Sequence, residues 1–166
     1  MLRRASIRRA LGPFVFGAAA FLSACVTTEA VAPVVRPAVA PGENFTLHYY
    51  RTDGDYKGWG AHFWESFEKF QGDKVIAKAE KSDEPILGIS WESPMNATGA
   101  DSFGAYWVVN ANEFRNGKVN YIIHRGDRKD CPDDSAWLLA RGQQVFVNAG
   151  ECTGYRTAEE AIKARK

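Results

Sequence analysis

The sequence predicts an all-β protein: an antiparallel, immunoglobulin-like β-sandwich that ends in a short helix. Three observations support this fold class. Short segments in which apolar and polar side chains alternate recur along the chain from residue 44 onwards. Clusters of Gly, Asn, Asp or Pro separate most of these segments, as in sandwich proteins. The last ten residues carry a helical pattern instead.

Several β-strands can be placed directly from this alternation. Residues 68–84 fit either an edge strand with loops or a short helix, and the Asn116-Gly117 pair predicts a hairpin turn. Thr157 and Glu160 form a capping box, which predicts the start of the helix. The predicted strands are residues 45–50, 59–64, 86–91, 103–110, 118–124 and 143–149.

The N-terminus has the pattern of an export signal. Four arginines precede a run of about a dozen mostly apolar residues, which is signal-peptide length and too short to span a bilayer. The run ends in "LSAC" (residues 22–25), which resembles a bacterial lipobox with Cys25 as the lipidated residue. Val26 after it is typical of outer-membrane lipoproteins. The alternative is an ordinary secretory signal with an unrelated cysteine.

These signals divide the chain into four parts. Residues 1–24 are the predicted signal peptide, and residues 25–43 are the lipidated cysteine with a Pro/Ala-rich tether. Residues 44–155 are the predicted sandwich, and residues 156–166 hold the helix. We therefore expect a bacterial envelope protein that contacts the membrane through its lipid anchor only.

Charge and cysteine content add two expectations. The chain has 21 basic and 20 acidic side chains, and four of the basic ones lie in the signal peptide. The mature protein would be slightly acidic, which argues against nucleic acid as a partner. Outside the cytoplasm, Cys131 and Cys152 are predicted to form a disulfide. A pair of buried free thiols is the alternative.

The aromatic segment at residues 59–64 has two different faces. In a strand, Trp59 lies on the same face as Ala61 and Phe63, and this apolar face belongs in the core. His62 and Trp64 share the other face with a glycine, which suits a flat platform for the apolar face of a sugar ring. The alternative is that Trp64 belongs to the core and that His62 is an ordinary surface residue.

Three motifs follow one another along the predicted sandwich: "LHYYRTDGDYKGWGAHFW", "GADSFGAYW" and "VNYIIHRGDRKD". In sequence and order they resemble the family 41 carbohydrate-binding module, also called the pullulanase-associated domain, and the match spans residues 45 to about 155. The resemblance implies a β-sandwich that binds α-glucans. It places the sugar-stacking pair at His62 and Trp64. It places the residues that bind the sugar hydroxyls at Arg125 and Asp130.

Two departures from the family pattern concern this site. The family has Lys where this chain has Arg125, and the planar guanidinium is not equivalent to an ammonium group. The family pattern does not require the two cysteines, and a Cys131–Cys152 bridge would brace the loop that carries Asp130. Lys129 is a further possible contact at the rim of the site.

The predicted function is non-catalytic binding of α-1,4- and α-1,6-glucan oligosaccharides, with an amylolytic enzyme or a transporter as a possible partner. No cofactor and no metal are predicted, and Trp91, Trp107 and Trp137 are expected in the core. The pair Asp53 and Asp55 is interpreted as a turn rather than as glycosidase carboxylates. The main alternative is an envelope structural or protein-interaction lipoprotein that has lost sugar binding, and a small hydrolase is a weaker one.

Overall fold

Two β-sheets packed face to face enclose the core of the protein, and a third sheet has only two strands. The computed structural model describes residues 42–71, 74–77, 83–86 and 88–165. The strands are β1 (Asn44–Tyr50), β2 (Gly60–Glu65), β3 (Lys69–Gln71), β4 (Lys74–Ala77), β5 (Glu84–Pro85), β6 (Gly99–Ala100), β7 (Ala105–Asn110), β8 (Lys118–Arg125), β9 (Arg128–Lys129), β10 (Ser135–Leu138) and β11 (Gln144–Asn148). One helix, α1 (Ala158–Ala164), follows, and two short 3-10 helices lie at Ala111–Glu113 and Leu139–Arg141.

The first sheet has the strand order β11-β1-β7-β6. Strands β1 and β7 are antiparallel, but β1 and β11 run parallel, with Leu47 opposite Val145. The predicted sandwich is confirmed, and the expectation that all of its strand pairs are antiparallel is wrong at this one pair. A parallel pair needs a long connection, and nearly the whole domain lies between these two strands.

The second sheet carries the aromatic segment. Its order is β10-β8-β2-β5, and β9 pairs with β8 as a hairpin. In the antiparallel β2–β8 pair, Gly60 lies opposite His124 and His62 lies opposite Ile122. Since opposite residues in a ladder point to the same face, these four residues share the outer face of the sheet.

The inner faces of the two sheets form one hydrophobic core. Phe45 and Leu47 of β1 meet Ala61 and Phe63 of β2 there, and all four are fully buried. Trp107 and Trp137 are buried as well, as the sequence predicted. Both indole N–H groups donate to backbone carbonyls, of Met95 and Gly142 respectively, so their burial leaves no unpaired donor.

Two predicted local structures differ from the observed ones, and one ambiguous segment forms strands rather than a helix. Of the predicted strand at residues 86–91, the described residues are turn or irregular backbone. The ambiguous segment at 68–84 contains the β3–β4 hairpin and the short β5. Asn116-Gly117 does not close a hairpin but lies on the connection between β7 in one sheet and β8 in the other. Its Asn116 amide donates to the carbonyls of Ser66 and Glu68, which fixes this crossing.

The C-terminal helix is confirmed and packs on the outer face of the first sheet. The Thr157 hydroxyl accepts from the Glu160 N–H, and the Glu160 carboxylate accepts from the Arg156 N–H. Ala161 packs in a small second apolar cluster with Phe103 and Phe146. No described helix is long and apolar enough to cross a membrane. The predicted signal peptide, Cys25 and most of the tether lie outside the described residues.

The predicted disulfide joins Cys131 to Cys152, with a Cα–Cα distance of 5.2 Å. Replacing both cysteines by serine is expected to lower the free energy of unfolding by about 3 kcal/mol, because the bridge closes a loop of about 20 residues in the unfolded chain. Urea denaturation of the oxidised protein and the double variant measures the difference. A reductant should lower the midpoint of the wild type and leave that of the variant unchanged. Equal midpoints for the oxidised wild type and the variant would contradict the prediction.

Candidate functional site

The outer face of β2 carries two stacked rings. Alternation along the strand buries Trp59 and Phe63 and leaves His62 and Trp64 half-buried on the other side. The rings of His62 and Trp64 lie 5.5 Å apart between centroids, with an angle of 27° between their planes. The predicted assignment of faces is confirmed, and the pair forms a nearly flat aromatic surface that solvent can reach.

A loop crosses β2 at Gly60 and brings a third ring to this surface. The Met95 N–H donates to the Ala61 carbonyl, and the Ala61 N–H donates to the Met95 carbonyl. A Cβ at position 60 would lie 2.8 Å from the side chain of Pro94, so only glycine allows this crossing. The space over Gly60, on the same face as His62 and Trp64, is therefore filled by this loop.

Trp91 on this loop is a correction to the sequence analysis, which expected it in the core. Trp91 is half-buried. Its ring stands at 70° to the His62 ring, with 6.0 Å between the centroids, and stacks on the ring of His124 at 4.0 Å and 7°. His62, Trp64 and Trp91 therefore form two walls of a corner rather than a single flat plate.

An open cleft of about 480 Å³ lies against this corner. Its polar edge includes Lys129 and Asp134, whose Nζ and Oδ1 atoms are 2.8 Å apart. Lys129 Nζ also lies 5.9 Å from the centroid of the Trp91 ring. The lining residues are His62, Trp64, Asp83, Pro85, Ser90, Trp91, Ile122, Lys129 and Asp134.

Arg125 does not lie beside the aromatic pair, so its expected placement is wrong. Because the His124 side chain is on the same outer face of the sheet as His62, its neighbour Arg125 on β8 points to the opposite side of the sheet. There the guanidinium bonds to the Asp55 carboxylate at 3.0 Å and lies 5.1 Å from the Trp59 ring centroid. In this position Arg125 ties the loop before β2 to the end of β8.

Asp130 is likewise not part of the cleft, and its side chain is only 8% exposed. Its carboxylate lies 3.5 Å from the Arg51 guanidinium and accepts from the Gly150 N–H at 2.8 Å. Burial first, and then the hydrogen bond to Asp130, raise the pKa of Tyr49 well above its usual range. This carboxylate is thus a structural anchor next to the Cys131–Cys152 bridge.

Of the predicted site residues, His62, Trp64 and Lys129 line this cleft, which is also lined by residues that the sequence did not indicate: Trp91, Asp134, Asp83 and Ser90. Among the residues that the structure describes, no group of three His, Cys, Asp or Glu side chains is arranged to hold a metal ion. Asp134 could have been found as an acidic residue close in sequence to Lys129, with which it forms a salt bridge.

The environment of His62 makes a pH-dependent contribution to stability. Burial chiefly, and then the nearby His124, lower the pKa of His62 below its usual 6.5. The unfolded chain therefore takes up this proton at a higher pH than the folded protein does. Neutral His62 therefore contributes fully to the free energy of unfolding above about pH 6.5. This contribution is lost as the pH falls through the lowered pKa of the folded protein.

We expect His62→Gln to lose less stability than the wild type when the pH falls from about 7 to about 5, since the glutamine side chain takes up no proton in this range. Urea unfolding of both proteins at the two pH values measures this difference. An identical loss in the wild type and in His62→Gln would contradict the expectation.

The fold and the cleft together define a small β-sandwich with an aromatic corner on the outer face of one sheet. Residues 43–156 match the family model described as "Bacterial pullanase-associated domain", which covers well over half of the chain. The chain belongs to this family.

One relative and several solved structures are similar to this chain in sequence or in fold. An alpha-amylase of Streptomyces lividans is 35% identical over 91 residues, which are 55% of this chain and 8% of the amylase. A family 41 carbohydrate-binding module from streptococcal virulence factors, studied for α-glucan recognition, has the same fold, with a TM-score of 0.53 and 15% identity over 76% of this chain and 52% of that one. A Klebsiella pneumoniae pullulanase complexed with maltotriose has a TM-score of 0.55 and 22% identity over 81% of this chain and 12% of the enzyme. The chain thus spans only a small part of either enzyme.

Proposed function

We propose that this protein is a non-catalytic module that binds α-glucan oligosaccharides in the cleft beside His62, Trp64 and Trp91. The observation that carries the proposal is the aromatic corner with a charged pair at its edge. The apolar C–H face of a glucose ring can stack on an indole, and the hydroxyls at its rim can bond to Lys129 and Asp134. The α-glucan recognition of the streptococcal modules and the maltotriose complex of the pullulanase support the ligand class.

Affinity electrophoresis tests this proposal. In native gels that contain amylopectin or pullulan, the wild type should migrate more slowly than in gels without polysaccharide. Unchanged migration would contradict glucan binding and favour the alternative of an envelope structural or protein-interaction lipoprotein. Release of reducing sugar by the purified protein would contradict the non-catalytic part of the proposal.

Lys129 at the edge of the cleft and Arg125 on the opposite side of the sheet should differ in their effect on glucan binding. Lys129→Met is expected to weaken maltooligosaccharide binding about tenfold, because the ammonium group no longer bonds to a sugar hydroxyl. Arg125→Met removes a comparable cation from the opposite side of the sheet and should leave the affinity unchanged. Isothermal titration of both variants measures the difference. Loss of affinity in Arg125→Met alone would place the polar contacts away from the cleft.

We propose further that the lipidated Cys25 holds the module at the bacterial envelope, most simply at the outer membrane. The "LSAC" sequence and the Pro/Ala-rich segment after it support an anchor with a spacer. An amylolytic enzyme or a glucan transporter would be a fitting partner. Radiolabelled palmitate should be incorporated into the wild type and not into Cys25→Ser, and equal labelling of the two would contradict the anchor.

A further inference from the structure

The β8–β9 hairpin holds Trp91 from two directions. The ring of His124, the penultimate residue of β8, stacks on the Trp91 ring at 4.0 Å and 7°. Asp127 lies in the turn of the same hairpin, and its Oδ1 atom accepts a hydrogen bond of 3.2 Å from the Trp91 indole Nε1. Trp91 lies 36 residues earlier in the sequence, so these contacts are tertiary ones.

Trp91 depends on such contacts because its own segment is irregular. Residues 88–94 form no strand, and Met95 pairs with β2 only through an isolated bridge. A large side chain on such a loop has several conformers available, and fixing one of them on binding costs affinity. Contacts that fix the indole before the ligand arrives remove this cost from the binding step.

The hairpin is itself suited to this task because its turn also fixes His124. His124 is fully buried, and its Nδ1 atom lies 2.8 Å from the Gly126 carbonyl oxygen. Gly126 has a φ of 56°, which glycine adopts without strain. The two turn residues therefore have different contacts. The Gly126 carbonyl orients the His124 ring on which Trp91 stacks, and the Asp127 carboxylate orients the Trp91 indole N–H.

We propose that Asp127 and His124 are positioning residues that hold Trp91 as the second wall of the cleft and so raise its affinity for glucan. This inference rests on the function proposed above. Asp127 is not among the residues that line the cleft, so its effect on binding would pass through Trp91. The position of Trp91, one wall of the cleft, would then depend on a hydrogen bond to a residue outside the cleft.

A double-mutant cycle between Asp127 and Trp91 tests the proposal. Asp127→Ala should weaken binding of maltoheptaose about two- to tenfold, the effect of losing one hydrogen bond. Asp127→Asn keeps an oxygen acceptor of the same shape and should bind as the wild type does. In a Trp91→Ala background, Asp127→Ala should change nothing further.

A second measurement does not need a ligand. In ¹H–¹⁵N spectra the Trp91 indole signal, assigned by its loss in Trp91→Ala, should shift and exchange faster with water in Asp127→Ala. It should stay in place in Asp127→Asn. An unmoved signal in Asp127→Ala would overturn the inference, as would an affinity loss that persists fully in the Trp91→Ala background. If the wild type bound no glucan, the proposed function would fail, and the indole signal alone would decide whether Asp127 holds Trp91.

Discussion

Replacing Trp64 by alanine is expected to abolish retention of the protein in amylopectin gels while the fold stays intact. Trp64 is half-buried on the outer face of β2, and its ring extends the surface begun by His62. A central aromatic residue of a binding site typically contributes more than about 2 kcal/mol, which is about 30-fold in affinity. Because the core lies on the opposite face of the strand, the free energy of unfolding should change little.

The matched control for this variant is Tyr106→Ala. Tyr106 is a half-buried aromatic residue on β7, in the other sheet, where it neighbours His48 at 6.0 Å. Its removal takes a similar ring from the surface of the protein and should leave migration in amylopectin gels as slow as that of the wild type. Wild-type affinity of Trp64→Ala in a titration would mean that the aromatic pair on β2 is not where glucan stacks.

The position of His62 and Trp64 was predictable because it depends on a local rule. Side chains in a strand alternate, so once residues 59–64 are taken as a strand, their two faces are fixed by the sequence itself. Burial of Trp59, Ala61 and Phe63 follows from the apolar character of one face. The helix cap at Thr157 is local in the same way, and it too was predicted correctly.

The role of Trp91 could not be predicted because it depends on contacts between distant segments. The apolar run at residues 86–91 has the composition of a buried strand. In the structure, the bare Gly60 lets the loop at Pro94 cross β2, and His124 on β8 supplies a ring for Trp91 to stack on. None of these pairings leaves a periodic pattern in the sequence near Trp91.

The incorrect placement of Arg125 and Asp130 shows what a family motif alone cannot predict. Arg125 and Asp130 were assigned to the site through the family motif, which gives no direction for a side chain. Alternation along β8 would have separated Arg125 from His124 and therefore from the face that carries His62. Lys129, opposite His124 in the β8–β9 pair, lies on the cleft side by the same rule.

Replacing Trp59 by alanine should have the opposite consequences from Trp64→Ala, with a loss of about 3 to 5 kcal/mol in the free energy of unfolding. Trp59 is 3% exposed and packs 6.3 Å from the Tyr49 ring. Its ring also lies within reach of three guanidinium groups, at 4.5 Å for Arg51, 5.1 Å for Arg125 and 5.7 Å for Arg128. Deleting the indole leaves a cavity and removes the ring that these cations contact.

Urea denaturation measures this loss, and Trp59→Phe serves as the control that keeps an aromatic ring and should lose less. The protein that remains folded should still bind glucan, since Trp59 is not among the residues that line the cleft. Two tryptophans five positions apart would then have different roles: Trp59 would determine stability, and Trp64 would determine glucan binding. A variant Trp59→Ala as stable as the wild type but unable to bind glucan would instead mean that the ligand contacts the opposite face of β2, and the cleft described above would not be the binding site.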